Sequence, residues 1–68
     1  MSTMLSHRIK KLREKTKLTQ EALARKADVS YNTIIKLETN GIKDPRVSTV
    51  IKLANALGVS IDKLLTKE

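Results

Sequence analysis

The sequence predicts an all-α fold, a compact five-helix domain spanning residues 1–68 with its core over about 5–66 and a helix-turn-helix at its centre. Three observations predict it. Apolar residues recur at helical spacing along the chain, and no strand-like alternation is sustained. Three helix starts share one pattern: an apolar residue, a hydroxyl, then an apolar residue four positions past the hydroxyl. Finally, only two residues separate the second helix from the third, too few for an antiparallel return, so the two must cross steeply.

The first helix is expected over about 4–15, where Leu5, Ile9 and Leu12 form an apolar stripe and Lys10, Lys11, Glu14 and Lys15 lie off it. The pairs Leu18-Thr19, Val29-Ser30 and Val59-Ser60 mark the next starts, with Leu23, Ile34 and Leu64 as the apolar residues four positions on. In each, the hydroxyl accepts from the free N–H groups of the first turn, and the flanking apolar residues clamp over it. The second helix therefore runs from Thr19 to about Ala27, the third from Ser30 to about Glu38 and the fifth from Ser60 to about Thr66. The fourth holds the apolar series Val47, Val50, Ile51, Leu53, Ala54 and Leu57 and ends at Gly58, which takes a left-handed conformation without a Cβ penalty. Asp44-Pro45 reads as its cap and first residue, and Ser48 is a second candidate cap. The turn before the third helix needs one residue with positive φ, and Asp28 tolerates that better than most.

A chain of this length buries only about 60% of its unfolded surface, so the core is thin. Leu, Ile and Val number 19 of 68, enough for folding, and with no Phe or Trp the core must be aliphatic. Tyr31 is the lone aromatic residue, which argues against binding through stacked aromatics. Without cysteine there is no disulfide, thiolate nucleophile or Cys-based zinc site, and the lone histidine, His7, cannot build a multi-His metal site. No metal, cofactor or small-molecule ligand is expected. No acid, base and nucleophile can be assembled, so an enzyme is not expected. Neither a membrane-spanning run nor a signal peptide is evident, and the capped short helices lack the interfacial Trp and Phe of a membrane-surface peptide; a cytoplasmic, nucleoid-associated location is expected.

The net charge is +7, and it is unevenly placed: +5 over residues 1–17, zero over 18–40 and +2 over 41–68. A polyanion is the natural partner. In the third helix Ile34 and Leu37 point inward with Val29, and a step of about 100° per residue puts Asn32 and Lys36 on the opposite face, flanked by Thr33 and Ile35. Tyr31 projects from the first turn. Such a helix fits the major groove of double-stranded DNA, with Asn32 matched to adenine, Lys36 to the acceptors of guanine, and Tyr31 or Thr33 to a thymine methyl. Gln20, at the first position of the second helix, and the Thr19 cap are placed to bind one backbone phosphate. Asn40, Lys43 and Arg46 are placed to bind another if their loop borders the groove, with Asp44 working against them.

The run Leu18-Thr19-Gln20-Glu21-Ala22-Leu23-Ala24, the cap Val29-Ser30, the pairs Thr33-Ile34 and Leu37-Glu38, and the closing Ala56-Leu57-Gly58-Val59-Ser60 resemble the phage-repressor helix-turn-helix family, the Cro-like group of regulators, over about residues 7–65. The resemblance implies a lambda-repressor-like DNA-binding domain with the third helix as its recognition helix, and it supports both phosphate sites. It also implies an ion pair, Arg13 with Glu38, joining the first helix to the end of the third, with the arginine near the DNA backbone. Three positions depart from the family pattern: Asp28 where small residues or glycine are common, Ile35 where a polar residue is frequent, and Arg46 where a Ser or Thr cap is usual.

The expected function is a sequence-specific DNA-binding transcriptional regulator, a repressor acting as a homodimer on a palindromic operator, because one helix reads too few base pairs alone. The alternative is a protein-interaction module, such as an antitoxin or anti-regulator, with DNA binding secondary. Dimerisation is expected through Val59, Ile61 and Leu65, since Leu64 is committed to the staple of the fifth helix and the first helix carries a charge that repels its copy.

Overall fold

A computed structural model describes residues 2–39 and 45–65 of the chain. It contains α1 (Ser2–Lys15), α2 (Gln20–Ala27), α3 (Tyr31–Glu38), α4 (Val47–Leu57) and α5 (Ile61–Leu65), with no strand among the described residues. The expected all-α, five-helix architecture is present. α1 begins two residues earlier than its apolar stripe suggests, because neither Pro nor Gly interrupts the start of the chain.

Each helix contributes at least one fully buried side chain to a single core: Ile9, Leu23, Ile34 with Leu37, Leu53 and Leu64. α2 packs on α3 and α4, α1 on α3 and α5, and α4 on α5. The three residues expected from the cap pattern, Leu23, Ile34 and Leu64, are all in this innermost set. Truncating any of them removes aliphatic volume from a core with little to spare.

Three of the connections share one construction. Lys17 and Asp28 (φ 60° each) and Gly58 (φ 72°) take the left-handed conformation. Their amides donate to the carbonyls of Glu14, Arg25 and Asn55 at 3.0, 3.2 and 3.2 Å. The following amides, of Leu18, Val29 and Val59, reach back to Arg13, Ala24 and Ala54 at 3.1, 3.0 and 3.0 Å, which closes the carbonyl end of each helix. The hydroxyls of Thr19, Ser30 and Ser60 then accept from the amides of Ala22, Thr33 and Lys63 at 3.0, 3.1 and 3.2 Å. One apolar residue thus serves two helices, ending the first and preceding the cap of the second, while its side chain packs on the core. This is why the turns are so short.

The start of α4 differs from both candidates. Pro45 lies outside the helix, Ser48 lies inside it, and Arg46 is the capping residue, in extended conformation (φ −67°, ψ 146°) with no side-chain cap hydrogen bond. Proline's fixed φ suits an extended segment as well as a helix start, so Pro45 does not set the register. The Arg46 carbonyl does, by accepting from the Val50 amide at 3.1 Å. The apolar series of α4 also divides: Val50, Leu53, Ala54 and Leu57 are buried together with Ala56, whereas Val47 is 73% and Ile51 40% exposed. Burial of Ala56 turns the inward arc away from Val47 and Ile51.

Candidate nucleic-acid interface

The turn between α2 and α3 fixes how α3 is presented. Asp28 supplies the left-handed residue (ψ 45°), Val29 tucks against the core, and Ser30 caps α3. Lys52 of α4 lies over the turn, its Nζ donating to the Asp28 carbonyl at 3.4 Å; its pairing with the Asp28 carboxylate, at 3.9 Å and well exposed, adds little. With Ile34 and Leu37 buried, Asn32 and Lys36 stand exposed on the outer face and Tyr31 is 46% exposed at the N-terminal end. Thr33 is partly buried, and its hydroxyl lies 2.7 Å from that of Ser30, so part of its hydrogen-bonding capacity is used within the cap.

Behind this face sits a buried polar cluster. Arg13 of α1 donates through Nε to Glu38 Oε2 at 2.6 Å and through Nη2 to Glu38 Oε1 at 3.1 Å, a two-pronged pair. Its Nη1 donates to the Leu18 carbonyl at 2.8 Å. Gln20 Nε2 donates to Glu38 Oε1 at 3.0 Å. The Glu38 carboxylate, 2% exposed, therefore receives three N–H groups, and α1, the turn after it, α2 and α3 are joined at one point. The Arg13 guanidinium is held charged above its ordinary pKa: the hydrogen bond to Glu38 raises it, burial opposes, and the Glu38 charge adds to the rise.

The remaining candidate residues are distributed as follows. Thr19 is exposed and accepts from the Ala22 amide, while the side chain of Gln20 is turned to Glu38. Arg46 is exposed at the start of α4. Asn40, Lys43 and Asp44 lie outside the described residues. Of the three expected dimer residues, Val59 and Ile61 pack partly against the core, and Leu65 is 57% exposed. Two features have no counterpart in the sequence reading: the left-handed Lys17, and the Gln20–Glu38 hydrogen bond. A signal for the first was present, since Lys17-Leu18-Thr19 stands in the same relation to its helix as Asp28-Val29-Ser30 and Gly58-Val59-Ser60. The second joins residues 18 positions apart on different helices and leaves no local trace.

Comparison with known proteins places this arrangement. A helix-turn-helix family model matches residues 9–64. The HTH-type transcriptional regulator ImmR of Bacillus subtilis is 36% identical over 64 residues, which cover 94% of this chain and 50% of that protein. The immunity repressor protein of Bacillus phage phi105 is 34% identical over 64 residues, covering 94% of this chain and 44% of the repressor. The chain thus spans about half the length of these two relatives. Among solved structures, the N-terminal DNA binding domain of SinR from Bacillus subtilis superposes with a TM-score of 0.92 at 29% identity, covering 97% of this chain and 96% of that one. By the match over most of its length, and by the two short helices that cross at Asp28, the chain belongs to the helix-turn-helix family.

Proposed function

We propose that this chain is a sequence-specific DNA-binding transcriptional regulator, a repressor that occupies a palindromic operator as a homodimer with α3 in the major groove. The observation that carries this reading is the presentation of α3: a capped helix on a two-residue turn, apolar face buried, Asn32 and Lys36 outward. In this reading Asn32 pairs with adenine, Lys36 with guanine, and Tyr31 or Thr33 meets a thymine methyl. One phosphate is held by the Thr19 hydroxyl and by the main-chain N–H groups at the start of α2, which no carbonyl of the helix can reach. The Gln20 side chain supports that site by holding Glu38. Arg46, with Asn40 and Lys43, takes a second phosphate. Selection of bound duplexes from a random pool tests the whole reading: a two-fold consensus with half-sites about 10 base pairs apart is expected, and recovery of no preferred sequence overturns it.

Arg46 joins stability to binding. Because its side chain does not cap α4, Arg46→Ser should add a cap and stabilise the fold by about 1 kcal/mol, raising Tm by about 4–8 °C. The same change removes a phosphate contact, so operator affinity should fall for all sequences and the log–log salt dependence should flatten by about 0.9 per protomer. Thermal melts and binding titrations over a salt series check both halves. An unchanged salt slope would remove Arg46 from the interface.

The dimer seam is best tested at Leu65. Ile61 packs partly on the core, so a charge there would unsettle the monomer as well as the seam. Leu65 is 57% exposed, and Leu65→Asp should leave Tm nearly unchanged while weakening operator binding and shifting its stoichiometry from two protomers per operator toward one. Full affinity with two protomers bound would place the dimer surface elsewhere, with exposed Val47 and Ile51 of α4 as the surface to examine next.

A further inference from the structure

Outside the core, α3 and its C-terminal capping residue Thr39 carry two neighbouring rows of side chains, each with residues four apart. Asn32 and Lys36 form the first, both exposed and both with polar groups to offer. Tyr31, Ile35 and Thr39 form the second, beside it. Tyr31 presents an exposed ring, and Ile35 is partly exposed and has no polar atom in its side chain. The Thr39 hydroxyl donates to the Ile35 carbonyl at 2.8 Å, with the Lys36 carbonyl at 3.4 Å, so its donor is spent on the main chain of the helix. The second row is therefore mainly apolar, on a helix whose neighbouring row is polar and whose chain carries a net charge of +7.

We propose that Tyr31, Ile35 and Thr39 form a methyl-reading row that takes the C5-methyl groups of pyrimidines in the major groove, those of 5-methylcytosine as well as thymine, so that cytosine methylation within the site strengthens binding. This rests on the reading of α3 as the recognition helix. The C5-methyl is the apolar group that base pairs display in the major groove. Thymine and 5-methylcytosine share it and differ at position 4, where thymine has an acceptor and 5-methylcytosine a donor. A side chain without polar atoms, as at Ile35, cannot tell those two groups apart. It reads the methyl rather than the base pair. The polar row, by contrast, reads purine edges through Asn32 and Lys36 and is indifferent to C5.

The test uses the full chain and two random duplex pools, one synthesised with thymine and one with uracil. The best duplex from the thymine pool is then remade with single thymine-to-uracil changes, and with cytosine or 5-methylcytosine at the same positions. At positions facing the row, each lost methyl should weaken binding roughly threefold to fivefold, and 5-methylcytosine should bind tighter than cytosine by a similar factor. Ile35→Ala, checked for an unaltered melt, should reduce both differences. If no sequence is selected from the thymine pool, the reading of α3 as a recognition helix fails. If a sequence is selected but uracil and thymine bind alike, that reading stands and the methyl row is overturned. Methyl effects that persist undiminished in Ile35→Ala also overturn it, by placing the contact elsewhere.

Discussion

Glu38→Ala is expected to destabilise the folded chain by about 3–5 kcal/mol, because it strands the Arg13 guanidinium. The magnitude follows from burial: the side chains are 12% exposed for Arg13 and 2% for Glu38, so water cannot replace the lost carboxylate. Two guanidinium N–H groups and the Gln20 amide lose their acceptor together. A domain of this size has only about 3–10 kcal/mol of total stability, so the loss is a large share of it and Tm should fall by at least about 12 °C. The distinguishing control is the double variant Arg13→Met, Glu38→Leu. If the damage comes from an unpaired buried charge, replacing both partners by apolar side chains should recover most of it. Thermal melts of the single and double variants check this. A single variant that melts with the parent would show a carboxylate that contributes nothing, and a double variant no better than the single would assign the loss to packing.

The same cluster shows where reading the sequence stops. Each of the three short connections is a local device. An apolar residue, a hydroxyl and an apolar residue four positions later are sufficient to mark α2, α3 and α5, because capping and stapling involve neighbours only. The left-handed residue before each is legible at Gly58 and arguable at Asp28, but lysine has no intrinsic leaning that way, so Lys17 is held there by the bonds on either side of it. The start of α4 is not legible at all from Pro45, whose ring accepts both the extended and the helical continuation. Arg13 and Glu38 are 25 residues apart, and only resemblance to a family joined them in advance. The third partner, Gln20, is a residue for which a direct phosphate contact is the natural reading of its position; its hydrogen bond to Glu38 depends on how α2 and α3 cross. Exposure of Val47 and Ile51 is likewise set by tertiary packing, through the inward turn of Ala56.

Asn32→Ala and Lys36→Ala carry the largest expected effect on recognition. Both side chains are exposed on α3 and off the core, so neither change should alter the fold, and Tm should stay close to that of the parent. Each directed base contact is worth about 1–3 kcal/mol of discrimination, and a homodimer makes it in both half-sites, so operator binding should lose about 2–6 kcal/mol against the preferred sequence. The loss should be confined to sequence. Non-specific binding, carried by phosphate contacts, should be nearly unchanged for Asn32→Ala, whereas Lys36→Ala also removes a positive charge from the groove and should weaken it slightly. In a set of duplexes varied one base pair at a time, Asn32→Ala should level the preference for adenine at one position per half-site, and Lys36→Ala the preference for guanine at another. Gln20→Ala supplies the contrast: acting through Glu38 and the phosphate site, it should weaken all duplexes alike and leave the ranking of bases intact. If Asn32→Ala preserves the ranking while Gln20→Ala changes it, the outer face of α3 is not the reading surface, and the roles assigned to α2 and α3 are reversed.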